Sequence, residues 1–212
     1  MTAPVLIFAV GNESRGDDAL GPLLLRQLDE WLKTDYLDEN RNDTTTRQTH
    51  SPLPIPLPLA GEGANDTLRE LSIDRFELIE DFQLQIEHAM DMKGRQQVLF
   101  IDAGMDTPSP YAFYRAIDND EQVLYSHALS PEALLKVYTK FYQEAPPDAY
   151  VLCISGASFE LGEPPSPHAL DNLADALQFA KQLLSNPDIW AGLCTRTCAT
   201  IRSAQAPNQL TH

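Results

Sequence analysis

Two adjacent carboxylates, Asp17 and Asp18, close a glycine-bearing stretch that reads Gly11-Asn12-Glu13-Ser14-Arg15-Gly16-Asp17-Asp18-Ala19-Leu20-Gly21. A loop of this kind between a first strand and a first helix invites a nucleotide-binding reading, in which helix N-terminal amides hold a pyrophosphate. Charge argues against it, because two aspartates at the helix start repel an anion. The spacing also departs from G-x-G-x-x-G. One aspartate can cap the helix. A cap needs one carboxylate, so the other is left to face the crevice at the carboxyl edge of a parallel sheet, where open α/β folds bind ligands.

Asp102 lies at the end of the apolar run Gln97–Ala103 (QVLFIDA), at that same edge. Alone it reads equally well as a turn former ahead of Gly104. His127 falls just before Ser130, and alone it reads as a surface loop histidine, as do His88, His168 and His212 with less in their favour. Combination changes the weighing: Asp18, Asp102 and His127 stand at three corresponding junctions of the fold. Two carboxylates and an imidazole suit a borderline divalent ion such as nickel or zinc. Three protein ligands leave coordination positions open for substrate or water.

A search for a nucleophile returns little. There is no G-x-S-x-G elbow, and Ser155-Gly156 lies in CISGASFELGEPPSP, which does not pass directly into a helix. Attack by water, assisted by metal or carboxylate, is the more economical chemistry.

Composition narrows the classes further. The chain has 212 residues, 43% of them apolar, with 31 acidic against 15 basic residues and a formal net charge of -16. Such a surface repels phosphate backbones and anionic lipid, so neither nucleic acid nor membrane is an expected partner. No apolar run reaches the roughly 18 residues that span a bilayer. Met1–Val10 carries no basic leader, and no signal peptide is expected. Cys153 sits in the apolar run Tyr150–Ile154 and reads as a buried thiol. Cys194 and Cys198 lack a second pair for a zinc site. A cytoplasmic monomer is expected.

The elements that must position these residues alternate. Val5–Val10 (VLIFAV) reads as a strand covered on both faces. A helix follows with Leu20, Leu24, Leu28 and Trp31 on one face and Pro22 in its first turn. Asp38–Asp74 is polar, then proline-rich (SPLPIPLPLAGEG), and reads as a disordered surface insertion. Phe76–Glu80 resumes as a strand. For Gln85–Met92 a helix is preferred, although alternation at Phe82, Leu84 and Ile86 also fits a longer strand. Gln97–Ala103 and Ala149–Ser155 are core strands, and Tyr111–Ile117 is a weaker one at a sheet edge. Ser130-Pro131-Glu132 and Ser166-Pro167 open helices that run to about Gln143 and Ser185. No element is expected from Asn186 onward, so 186–212 reads as a tail. The sum is one three-layer α/β domain over residues 1–185, with a twisted, mainly parallel sheet flanked by helices.

Taken in order, these segments resemble the nickel–iron hydrogenase maturation endopeptidases. GNESRGDDALG is similar to that family's opening glycine–asparagine and paired-acid motif, with Asp18 where the family places its first metal-binding carboxylate. Asp102 in LFIDAG matches the second ligand and His127 in YSHALSPEALL the third. Val151–Pro167 resembles the segment before the family's last helix. The resemblance implies an endopeptidase that removes the C-terminal extension of a hydrogenase large-subunit precursor. It also implies that the nickel recognised is carried by that precursor, with no permanently bound cofactor. GDDALGP together with EDFQLQIEH is most similar to members serving soluble, NAD-reducing or bidirectional hydrogenases. Aspartate at 18, where some relatives have glutamate, changes reach and not charge. A non-catalytic, metal-sensing chaperone of the precursor would use the same three ligands.

Overall fold

Every residue of β1 (Val5–Val10) is buried, because the strand lies inside a sheet with a hydrophobic layer on each side. In the computed structural model the described residues are 3–45, 75–117 and 129–194, with side chains of the first helix described as far as Thr34. The other strands are β2 (Phe76–Asp81), β3 (Gln97–Gly104), β4 (Tyr111–Ala116) and β5 (Asp148–Ser155). The sheet order is β2-β1-β3-β5-β4. All neighbours pair in parallel except β4, which runs antiparallel to β5 at one edge. The mainly parallel sheet and the edge position of the Tyr111 strand agree with the sequence reading.

Alternation along β1 divides the core. Val5, Ile7 and Ala9 face α1 (Leu20–Thr45) and a late helix, while Leu6, Phe8 and Val10 face the other layer. On α1 the residues Leu20, Leu24 and Leu28 are each 0% exposed and Trp31 is 4% exposed, the spacing that puts one helical face against the sheet. Burial of each leucine stabilises the fold by roughly 2 kcal/mol. The opposite layer holds α2 (His88–Asp91) and α3 (Pro131–Tyr142). The late helix α4 (Pro167–Ser185) packs beside α1. Both later helices start as the sequence predicts: the Ser130 hydroxyl accepts from Ala133 N–H at 3.2 Å, and the Ser166 hydroxyl accepts from Ala169 N–H at 3.3 Å.

Three expectations change. Helix α1 continues to Thr45, into the stretch expected to lack structure. Its last eight residues contain no proline or glycine, and an established helix propagates at the cost of one residue per hydrogen bond. Residues 46–74, the rest of that stretch, lie outside the described residues. The helix expected over Gln85–Met92 shortens to α2, since Gln85 N–H donates to His88 Nδ1 in a turn before it. Beyond Asn186, where no element is expected, a 3-10 turn at Pro187–Ile189 carries Trp190 back to the core. Its ring is 0% exposed, stands edge-on to Tyr150 at 5.3 Å, and its indole N–H donates to Leu183 C=O at 2.7 Å. Among the described residues no helix is long and apolar enough to cross a membrane.

Candidate functional site

The carboxyl edge of the sheet collects the loops after β1, β2, β3 and β5. Asp18 arrives there on a 3-10 turn, Gly16–Ala19, between β1 and α1. The turn is possible because Gly11 adopts φ +146°, and a Cβ at that position would stand 2.0 Å from the Asp18 carbonyl oxygen. Asp18 N–H donates to Arg15 C=O at 3.1 Å, closing the turn. Gly11 N–H donates to Asp81 C=O at 3.2 Å, which seats the loop on β2. Outside, Arg26 bridges Glu13 of the loop and Glu80 of β2, an exposed network worth little by itself.

Asp102 comes from β3, on the face shared by Val98 and Phe100. Ala103 N–H donates to its Oδ1 at 2.7 Å. Burial pushes the Asp102 carboxyl up to about 6, despite that hydrogen bond, and the nearby Asp18 carboxylate pushes it further in the same direction. The Gly16–Ala19 turn that carries Asp18 packs against β3, which brings the two predicted carboxylates to the same part of the sheet edge. Such a carboxyl can hold or release a proton near neutral pH.

No side chain caps the 3-10 turn that opens toward α1, and Asp17 does not act as a helix cap. Asp17 instead turns away from solvent, at 0% exposure, toward the loop 156–166 between β5 and α4. Its Oδ2 accepts from Ala157 N–H at 2.7 Å and Ser158 N–H at 3.0 Å. Its Oδ1 accepts from Ser166 N–H at 2.6 Å, and the Ser166 hydroxyl donates to Oδ2 at 3.0 Å. Burial alone would raise the Asp17 pKa, but these donors outweigh it and hold the carboxyl below the ordinary aspartate value. Sequence reasoning missed this role because the donors are mostly backbone amides, which leave no residue-type signal.

His127 lies outside the described residues. Leu129 and Ser130, the first described residues after it, belong to the carboxyl edge, because α3 starts there and runs back toward the opening residues of β5. Leu129 packs against the cluster that contains Val98 and Phe100, the face of β3 on which Asp102 sits. Among the described residues, no three His, Cys, Asp or Glu side chains gather as a metal site. His88 is a packed core residue: Gln85 N–H donates to its Nδ1 at 3.0 Å, its Nε2 meets Asp81 at 3.3 Å, and its ring lies 5.1 Å from Phe8. His168 is exposed on α4. Cys153 neighbours Asp102 across the β3–β5 register, with Thr107 Oγ1 3.0 Å from its sulfur. Burial pushes its thiol up to about 11, so it is not a ready nucleophile. Loop 156–166 separates Ser155 from the next helix, and no nucleophile elbow forms.

No family model matches the sequence, and no curated protein matches it either. Solved structures do. The hydrogenase maturating endopeptidase HybD from E. coli superposes with a TM-score of 0.54 at 19% identity, over 89% of this chain and 94% of that one. The [NiFe] hydrogenase maturation protease HycI from Thermococcus kodakarensis gives 0.52 at 17% identity, over 87% and 94%. An endopeptidase from Escherichia coli solved in solution gives 0.54 at 18% identity, over 89% and 94%. The chain has the maturation-protease fold. At these identities the likeness is one of architecture.

Proposed function

We propose that this chain is an endopeptidase that removes the C-terminal extension of a nickel–iron hydrogenase large-subunit precursor after nickel insertion. The observation that carries the reading is the packing of the turn that bears Asp18 against β3, the strand that bears Asp102, at the carboxyl edge of a sheet with this fold. In this reading the precursor's nickel is part of the substrate, and Asp18, Asp102 and His127 recognise it. A divalent ion between the two carboxylates would relieve their mutual repulsion, which gives the site a reason to prefer a loaded precursor over an empty one. A carboxylate beside the bound peptide can take the proton of an attacking water. The enzyme needs no resident metal, and the reading places it in the cytoplasm as a monomer. The resemblance of GDDALGP together with EDFQLQIEH suggests a narrower proposal, that the precursor belongs to a soluble NAD-reducing or bidirectional hydrogenase.

Incubation of the purified chain with nickel-loaded and metal-free precursor, followed by mass measurement of the products, tests the reading. Loss of a C-terminal peptide from the loaded form alone is expected. Asp18→Ala, Asp102→Ala and His127→Ala should each abolish it. Binding without any cleavage would leave a metal-sensing chaperone in its place.

A further inference from the structure

We propose that Asp17 is the positioning residue of this site: it sets where Asp18 sits by clamping the Asp18 loop to the loop between β5 and α4. The inference deepens the peptidase reading and rests on it for its kinetic consequence.

A carboxylate removed from water is costly unless it is paired or fully hydrogen-bonded. Asp17 makes no ion pair among the described residues; four donors from Ala157, Ser158 and Ser166 satisfy it instead. The same two loops exchange further bonds through their backbones. Asp17 N–H donates to Ser158 C=O at 2.7 Å, Gly16 N–H to Glu163 C=O at 3.0 Å, and Gly162 N–H to Ser14 C=O at 2.6 Å. Gly16, at φ +55°, permits the approach, since a Cβ there would lie 2.6 Å from the Ser158 carbonyl oxygen. Ser166 also caps α4, so the clamp extends to a helix packed on α1.

The link to Asp18 is geometric. Both residues lie on one 3-10 turn, where successive side chains diverge by about 120°. With Asp17 fixed toward the late loop, the rotational setting of the turn is fixed, and Asp18 is delivered to the side of Asp102. A loosened Asp17 lets the turn rotate, and the two carboxylates lose their relation.

The test uses Asp17→Asn in the full chain, with Leu183→Ala as a core-destabilised control at the far end of α4. The amide keeps the size of the carboxylate but turns an NH2 toward donors, so the clamp cannot be satisfied. Expected in Asp17→Asn are at least tenfold faster hydrogen exchange at Ala157, Ser158 and Ser166 and shifted amide resonances at Asp18 and Ala19. On nickel-loaded precursor, kcat should drop at least tenfold with a smaller change in KM, at a temperature where both variants are folded. Leu183→Ala should leave the resonances and kcat near wild type. If Asp17→Asn keeps the Asp18 resonance and the kcat of the control, Asp17 is only a brace and the inference is overturned. If the wild-type chain cuts no precursor, the peptidase reading falls, and the Asp18 and Ala19 resonances alone decide the positioning role. Should Asp17→Asn not fold, Ser166→Ala removes one donor of the four and should move the same resonances by less; unmoved resonances overturn the inference.

Discussion

The Asp17 carboxylate accepts the Ser166 backbone N–H at 2.6 Å, joining two residues 149 positions apart in the chain. That bond and its three companions hold the first loop of the sheet to the last, and they make stability depend on one charged side chain.

Truncation of that side chain should be expensive. Asp17→Ala leaves three backbone amides and a hydroxyl without their acceptor. Buried donors left unsatisfied cost roughly 1–3 kcal/mol each before relaxation and water entry, so a loss of about 3 kcal/mol or more is expected. The folded-state pKa is depressed, so this contribution is present above the unfolded value and fades as pH falls through the folded one. Urea unfolding at pH 7 should separate wild type from variant widely, and the gap should narrow at about pH 3. An equal gap at both pH values would contradict the ionised clamp.

Asp102 behaves in the opposite sense. Its folded pKa of about 6 exceeds the unfolded value, so the native state holds a proton that the unfolded chain has lost. Stability therefore decreases as pH rises from about 4 to about 6 and carries the full penalty above that window. Asp102→Asn should raise stability at pH 7 by up to about 3 kcal/mol, somewhat offset by a weaker bond from Ala103, and by little at about pH 4. The same variant should be inactive. Chemical unfolding at the two pH values checks the first statement, and a variant less stable than wild type at pH 7 would sink it.

Gly11→Ala tests the seat of the Asp18 turn. The new methyl would meet the Asp18 carbonyl oxygen at 2.0 Å on a backbone that L residues rarely adopt. A loss of about 2 kcal/mol is expected together with most of the activity, since the turn itself must move. Thermal unfolding and precursor cleavage measure both; wild-type values in either would show that the loop absorbs the methyl without moving Asp18.

His88→Ala separates a packed histidine from a ligand. Loss of the Gln85 and Asp81 contacts and of the ring against Phe8 should cost about 2 kcal/mol. At a temperature where the variant is folded, its cleavage rate should stay within a few-fold of wild type. A rate as low as that of Asp18→Ala would bring His88 into the site.

How far the sequence anticipates this arrangement depends on how local each cause is. The strands at Val5, Gln97 and Ala149 are legible because burial on both faces demands unbroken apolar runs, and the helix starts at Ser130 and Ser166 because a hydroxyl cap acts within three residues. The place of Asp102 at the carboxyl edge is legible because it ends an apolar core strand, and that of Asp18 because it lies in the loop between the first strand and the first helix. The role of Asp17 is not, since its partners are main-chain atoms from a remote loop. Nor is the return of Trp190 to the core, which one 3-10 turn accomplishes without any periodic pattern. Trp190→Ala should accordingly cost about 3–5 kcal/mol in urea unfolding, whereas a tail residue would cost nothing measurable.

The lacing between the two loops runs largely through peptide groups: Ser14, Gly16, Ser158, Gly162 and Glu163 contribute main-chain N–H or C=O. Side chains at most of those positions can be exchanged while the bonding atoms stay in place. Restriction then falls on the positions where a side chain, or the lack of one, is structural, among them Gly11, Gly16, Asp17, Gly162 and Ser166. A frame held this way can keep its shape while the exposed side chains around it change.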